Sequence, residues 1–176
     1  MPNFSGKWTL QAQMQATGAG NWTGLPLNNL YSWGINTAGQ LGQGNVVNRS
    51  SPVQVGSLTT WLSVKSGDYH TLATKTDGTL WSWGRNNFGQ LGQNNVDNVS
   101  SPVQVGSLTT WLSAAGGKYH TVATKTDGTL WTCGYNGEGP LGQNNIVNRS
   151  SPIQVGSLTT WLSVASGAYH TLALSS

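Results

Sequence analysis

A strict period of fifty residues governs this chain. GSLTTWLS stands at 56–63, 106–113 and 156–163, SSP at 50–52, 100–102 and 150–152, and Tyr-His-Thr begins at 69, 119 and 169. A period of this length means that one supersecondary unit is built repeatedly and stacked on its neighbours. Only 7% of the residues are charged, and Gly, Asn, Ser, Thr and Trp dominate, which favours turns and short strands. The repeats lack a 3.6-residue apolar rhythm, which excludes a helical solenoid, and a parallel β-helix would need a shorter repeat.

Each unit reads as four short strands. The first runs from Trp61 to Val64, and KSGD leads into the second, HTLATKT. Asp77-Gly78 between two β-prone runs predicts a two-residue hairpin with positive φ at both central positions. The third strand is TLWSW, and GRNNFGQLGQNNVDNVSS then connects to a fourth at PVQV, where Pro102 suits a strand start because it cannot donate to a ladder. Four antiparallel strands with paired aromatics on the third describe a propeller blade.

The stretch GDYHTLATKTDGTLWSWGRNNFGQLGQ, from Gly67 to Gln93, resembles the repeat of the regulator of chromosome condensation family. It has the Gly before His-Thr, the Asp-Gly turn, the Trp-Gly and the Asn-x-x-Gly-Gln-Leu-Gly run, and the resemblance covers residues 30 to 174. It departs in the third copy, where Pro140 replaces Gln. The resemblance implies a propeller, of about seven blades in that family, and a role as nucleotide exchange factor for a small nuclear GTPase, protein inhibitor or interaction module. Exchange activity in the family depends on a complete ring and an inserted segment, for which three repeats leave no room.

Counted from its first strand, one blade spans 61–105 and another 111–155. What remains is a first-and-second-strand pair at 161–174 and a third-and-fourth-strand pair at 30–55, complementary halves of a third blade. Unpaired halves expose sheet edges that invite pairing with another chain. Three blades are too few to close a ring, which takes four to eight. The expected architecture is therefore all-β, three blades per chain with one split between the ends, closed into a six-bladed ring by a head-to-tail homodimer. An open arc whose edges are covered by residues 1–29 or by another protein is the alternative.

Strand alternation puts the loops joining strands one to two and three to four on one face, and the Asp-Gly turn and GSLTT return on the other. Residues 30–79 and 80–129 differ at twelve positions, nine of which belong to the first pair of loops. Either these loops form a recognition face or they tolerate drift. In the first case the candidate contact residues are Ile35, Arg49, Lys65, Asp68, Arg85, Phe88, Lys118, Tyr135 and Glu138, with Phe88 and Tyr135 the most anchor-like.

The same frame argues against chemistry. His70, His120 and His170 fall in separate blades, which points to structural hydrogen bonds within each blade and not to a metal. Asp77 and Asp127 are turn residues, not a paired acid and base. Cys133 takes the place of Trp33 and Trp83 as a strand residue, and no disulfide framework is available to a lone cysteine. No enzyme activity, cofactor or metal is expected. The eight basic residues are scattered and give a formal charge of +3, which does not describe a nucleic-acid footprint. No membrane span or signal core is read from the sequence, so a soluble protein or one carried on a larger assembly is expected.

Residues 1–29 do not follow the repeat. A short helix at 8–17 is expected from Leu, Gln, Ala and Met, with Gly18 ending it, although the alternation from Trp8 to Ala16 also fits a strand. The segment resembles N-terminal segments of tailed-phage virion proteins, which implies an anchor built from Phe4, Trp8, Leu10, Met14 and Trp22; a cap for the propeller's apolar end is the plainer reading. The chain then reads as a non-enzymatic binding or assembly module, a virion tail or decoration component whose partners are itself and another structural protein. A cellular regulator or inhibitor of a protein such as a GTPase is the alternative, and a glycan-binding lectin a third.

Overall fold

A computed structural model describes residues 28–176. The described residues form twelve strands and no helix: β1 Tyr31–Gly34, β2 Arg49–Gln54, β3 Trp61–Ser66, β4 His70–Lys75, β5 Leu80–Gly84, β6 Val99–Gln104, β7 Trp111–Gly116, β8 His120–Lys125, β9 Leu130–Gly134, β10 Arg149–Gln154, β11 Trp161–Ser166 and β12 Thr171–Ser175. They make two complete antiparallel blades, β3-β4-β5-β6 and β7-β8-β9-β10, flanked by two half-blades, β1-β2 and β11-β12. The split blade foreseen from the repeat is present. The expected helix at 8–17 and the anchor residues Phe4, Trp8, Leu10, Met14 and Trp22 lie outside the described residues.

Position in the stack, not composition, decides burial. β8 is HTVATK and every residue of it is buried, since blades cover both of its faces. The related sequence in β12, TLALS, is exposed from its second residue onward. Leu72 is 1% exposed and Leu172 is 61% exposed, although both stand at the same point of the repeat.

The core lies between blades. Leu72 and Leu80 of one blade and Trp111, Ala114 and Ala123 of the next form one cluster with Val105. Trp61, Ala73 and Trp83 form another, onto which Leu30 and Trp81 pack. Each large side chain taken fully out of water here contributes roughly 1.5–3 kcal/mol, and it does so only if the neighbouring blade is in place.

Three sequence expectations need correction. The first strand extends to Ser66 and the fourth begins at Val99, because the ladder resumes before the proline: Gly84 pairs with Val99 across a bulge. The Asp-Gly hairpin is not a two-residue loop. Lys75 and Thr79 close it, with Gly78 N–H donating to the Lys75 carbonyl at 3.0 Å and the Lys75 N–H donating to the Thr79 carbonyl at 3.0 Å. Among its residues only Gly78 has positive φ, at 77°. This is a three-residue loop, a type I turn followed by a left-handed glycine. It wins because the Asp77 carboxylate accepts from both Thr79 N–H (3.0 Å) and Thr79 Oγ1 (2.6 Å), which fixes the turn. A side chain on Gly78 would also collide with the Thr109 carbonyl of the return loop.

The third correction concerns the histidines, whose bonds run between blades and not within them. The Thr121 hydroxyl donates to the Gln90 carbonyl at 2.8 Å, so it can only accept from His70 Nε2, 2.9 Å away. His120 Nε2 meets Thr171 Oγ1 at 3.0 Å while that hydroxyl donates to the Pro140 carbonyl at 2.8 Å. Both imidazoles are 1% exposed. Desolvation, helped by the neighbouring imidazole, depresses His70 to about 3 and His120 to about 4.

This gives stability a pH dependence of definite sign. The folded chain keeps both rings neutral, whereas the unfolded chain takes up protons below about 6.5. The contribution is complete above that value and is lost as pH falls towards the folded values. At pH 5 each ring costs about 2 kcal/mol, so unfolding free energy from urea titration is expected to be roughly 4 kcal/mol lower at pH 5 than at pH 7.5. His70→Gln should remove about half of that difference. Equal stability at the two pH values would mean that the rings are not held buried and neutral.

Candidate functional site: an aromatic ledge on the loop face

The β5–β6 loop is a folded unit, and one asparagine in each repeat organises it. Asn86 is fully buried. Its Oδ1 accepts from Leu91 N–H at 2.9 Å, its Nδ2 donates to the Asn95 carbonyl at 3.1 Å, and its own N–H donates to Asn98 Oδ1 at 2.7 Å. Asn36 and Asn136 repeat the arrangement. Gln90 Oε1 then accepts from Phe88 N–H at 3.0 Å and holds the tip of the loop. Pro140 cannot do this in the third copy, and there Glu138 and Gly139 are exposed.

The β3–β4 loops are joined from blade to blade. Asp68 N–H donates to the Gly117 carbonyl at 3.3 Å and Lys118 N–H to the Ala168 carbonyl at 3.0 Å. Their close approach leaves no room for a side chain at Gly67, where a Cβ would strike the Gly117 carbonyl and the His70 ring. The tyrosines that follow are thereby lined up. Tyr69 and Tyr119 stack at 5.9 Å with 12° between planes, and Tyr119 meets Tyr169 at 6.3 Å.

The two kinds of loop meet in one aromatic ledge. Phe88 packs edge-on between Tyr119 (5.1 Å) and Tyr135 (5.0 Å), and Tyr135 lies 6.5 Å from Tyr169. Two cations flank it: the Arg85 guanidinium sits 4.3 Å over Tyr69, and the Lys118 ammonium lies 5.3 Å from both Tyr119 and Tyr169. A hydrogen bond to Tyr169 is the main reason that the Lys118 amine is raised above its ordinary value. Tyr135 donates to Glu138 Oε1 at 3.2 Å, and desolvation with that bond raises its phenol. Such a surface is pre-ordered and amphipathic, with π faces, phenol groups and two cations for a partner to meet.

Five of the residues expected from the sequence are thus brought together: Arg85, Phe88, Lys118, Tyr135 and Glu138. Phe88 and Tyr135 are half-buried against each other and not free-standing. Ile35, Lys65 and Asp68 are exposed outside these ring contacts, Arg49 opens β2, and Lys65 belongs to β3. Tyr69, Tyr119 and Tyr169 were missed. They recur unchanged in every copy, so a comparison of differing positions passes over them; the signal was an aromatic residue at each loop's end, directly before the buried histidine position.

Other readings find less. Among the described residues no three His, Cys, Asp or Glu side chains are grouped to hold a metal. Cys133 is buried, and desolvation pushes its thiol up to about 12, which leaves no thiolate. Among the described tryptophans, Trp61, Trp83 and Trp111 are buried and Lys75 and Lys125 cover Trp81 and Trp131 at 3.8 and 3.5 Å, while Trp33 stands exposed on the edge half-blade.

The family model of the regulator of chromosome condensation (RCC1) repeat matches residues 28–74, 77–124 and 127–174. The chain belongs to this family of repeat propellers. Among solved structures it is similar to Prp20p from Saccharomyces cerevisiae, described with its binding properties to Gsp1p and histones, at 21% identity and a TM-score of 0.75 over 83% of this chain and 39% of that one. It is also similar to yeast RCC1 (Prp20) bound to Kap60, at 25% identity and a TM-score of 0.71, covering 84% and 38%. Human WBSCR16 follows at 19% identity, a TM-score of 0.59, and 85% and 54% coverage. The chain thus spans about two fifths of the length of the yeast protein. Comparison with curated proteins gives no match. The repeat matches begin at residue 28, so they do not bear on the likeness of the preceding segment to virion proteins.

Because the ledge stands on the loop that Asn86 organises, Asn86→Ala should cost roughly 1–3 kcal/mol, chiefly by leaving the buried Leu91 amide without its partner, with the exposed Asn95 released as well. A lower urea midpoint together with faster proteolysis within 87–98 is the expected result. A stability unchanged within about 0.5 kcal/mol would show that the loop is held by other contacts.

Proposed function

We propose that this protein is a binding and assembly module without catalytic activity, which holds a protein partner on the aromatic ledge of its loop face. The observation that carries the reading is the ledge itself: five aromatic rings and two cations fixed by backbone bonds between blades, on the face where the repeats differ. Its tyrosines and Arg85 are residue types from which interface hot spots are made. The yeast relatives, described with Gsp1p, histones and Kap60, support a protein partner for a propeller of this family.

The assembly half of the proposal is that copies join head to tail through the split blade, six blades completing a ring where three cannot. A virion surface is the setting suggested by residues 1–29, and it rests on that resemblance alone; a cellular regulator is the alternative. Genes for capsid and tail proteins beside this one support the first and their absence the second.

Two measurements test the proposal. Phe88→Ala with Lys118→Glu should leave the circular dichroism melt within a few degrees of the parent and weaken a captured partner at least about thirtyfold, the loss of one anchor of about 2 kcal/mol. Equal retention by the parent and the variant removes the ledge from the reading. Light scattering should give twice the 18.6 kDa chain mass, and a well-folded monomer removes the ring.

A further inference from the structure

The blade boundaries share one hydrogen-bond pattern, and comparing them shows where something is missing. At the first, the Gln40 carbonyl accepts from the Thr71 hydroxyl (2.8 Å) and from the Trp83 indole (3.0 Å). At the second, the Gln90 carbonyl accepts from Thr121 (2.8 Å) and, more weakly, from the Cys133 thiol (3.7 Å). At the third, the Pro140 carbonyl accepts from Thr171 (2.8 Å), and the described residues supply no second donor. On the other side of the threonines, His70 meets Thr121 and His120 meets Thr171, whereas no described histidine meets Thr71. One boundary lacks an indole and another lacks an imidazole.

The missing groups stand at the free edges of the chain. Trp33 is the repeat equivalent of Trp83 and is 59% exposed where Trp83 is 1% exposed. His170 is the equivalent of His70 and is exposed where His70 is buried. The space agrees: a Cβ on Gly42 would touch the Trp83 indole, and one on Gly142, two repeats further along, meets only Val155. Trp61 packs on Trp81 and Trp83 at 6.0 and 5.9 Å, whereas the equivalent positions for Trp161 are Tyr31 and Trp33, on the other half-blade and both exposed.

We infer that a second copy of this chain completes the split blade in one register, β12 of one copy pairing with β1 of the next as β4 pairs with β5. In the intact blade the partners are Thr71 with Trp83, Leu72 with Ser82, Ala73 with Trp81 and Thr74 with Leu80. The period carries these to Thr171 with Trp33, Leu172 with Ser32, Ala173 with Tyr31 and Leu174 with Leu30 of the second copy. Trp33 then donates to the Pro140 carbonyl and His170 to the Thr71 hydroxyl, so each seam supplies both absent donors. Leu172 and Leu174, 61% and 60% exposed in the single chain, become core. The tyrosine row continues through the seam, with Tyr169 beside Tyr69 of the second copy under its Arg85. The binding ledge is thus a collar that only the assembled ring completes. This rests on the ring reading of the preceding subsection and adds the register, the donors and the shared ledge.

Cysteines at paired positions test it in the full chain. Tyr31→Cys with Ala173→Cys should form, on mild oxidation, an interchain disulfide that doubles the mass on a non-reducing gel and reverts with reductant. Tyr31→Cys with Ser175→Cys, two residues out of register on the same side, should link at least about tenfold more slowly, because disulfides tolerate little displacement. Equal linking of both pairs overturns the register while leaving the dimer standing. Linking within one chain at monomer mass overturns the second copy as occupant, and a monomeric parent chain overturns the ring as well. Trp33→Phe keeps the ring and removes the N–H; the residue is exposed in the single chain, so folding is spared. It should raise the dimer dissociation constant about tenfold, and an unchanged constant overturns the donor assignment.

Discussion

One backbone carbonyl at each blade boundary is the point on which the rest of the structure turns. In the first two boundaries it belongs to a glutamine held in the bend of the long loop, and in the third to Pro140; in all three it takes the hydroxyl of a threonine from the next blade at 2.8 Å. A four-stranded blade has apolar side chains on both faces and cannot be stable alone, so the fold depends on contacts between units. Desolvation alone would let two blades slide on each other. The carbonyl, the threonine and the histidine remove that freedom, because a buried polar group displaced from its partner costs about 1–3 kcal/mol.

The same clamp explains how a loop face becomes a rigid surface. The residue after the organising asparagine (Asn36, Asn86 or Asn136) is exposed in each long loop while the Asn itself is buried, so the tip is anchored from below by a buried side chain whose bond to the Leu91 amide, in the second copy, is sealed from solvent. The β3–β4 loops, tied to one another by backbone bonds, set the tyrosines at the spacing of the blades. Stacking of Tyr69 on Tyr119 is therefore a readout of the angle between two blades, and any change in that angle would open the ledge. The shape of the ledge therefore depends on the packing of the blades, although the ledge rings are not themselves part of the core clusters.

Much of this was legible in the sequence because the repeat is nearly exact. Four strands, the split blade and the location of the loop face all follow from which residues recur and which differ. Three things were not legible, each for a physical reason. The Asp77 side chain competes for the turn backbone, and that local bond overrides the pairing preference of an Asp-Gly dipeptide. The histidine bonds cross the blade boundary, which a period cannot reveal, since a shift of one whole unit leaves the pattern unchanged. The tyrosines of the ledge recur without variation, so a search for differences places them with the scaffold. Proteins whose binding surface is built partly from the repeat itself will hide it in the same way.

The exposure of one motif in different places separates what a residue is from what it does. His70 and His170 begin the same Thr-Leu-Ala run, yet one is sealed between blades and the other stands open. Trp33 and Trp83 differ in the same way. Each exposed residue has chemistry for which a matching group is already in place at the far end of the chain: a hydroxyl at Thr71 for an imidazole, a carbonyl at Pro140 for an indole. A surface worn by drift would be expected to lose one side of such a match before the other, because a mutation at Trp33 has no means of compensating one at Gly142. Trp33 and His170 keep the residues of the buried first blade although Pro140 stands for Gln, Tyr31 for Trp and Leu174 for Thr nearby, and under the proposed pairing the retained indole and imidazole are the two groups that the seam would use.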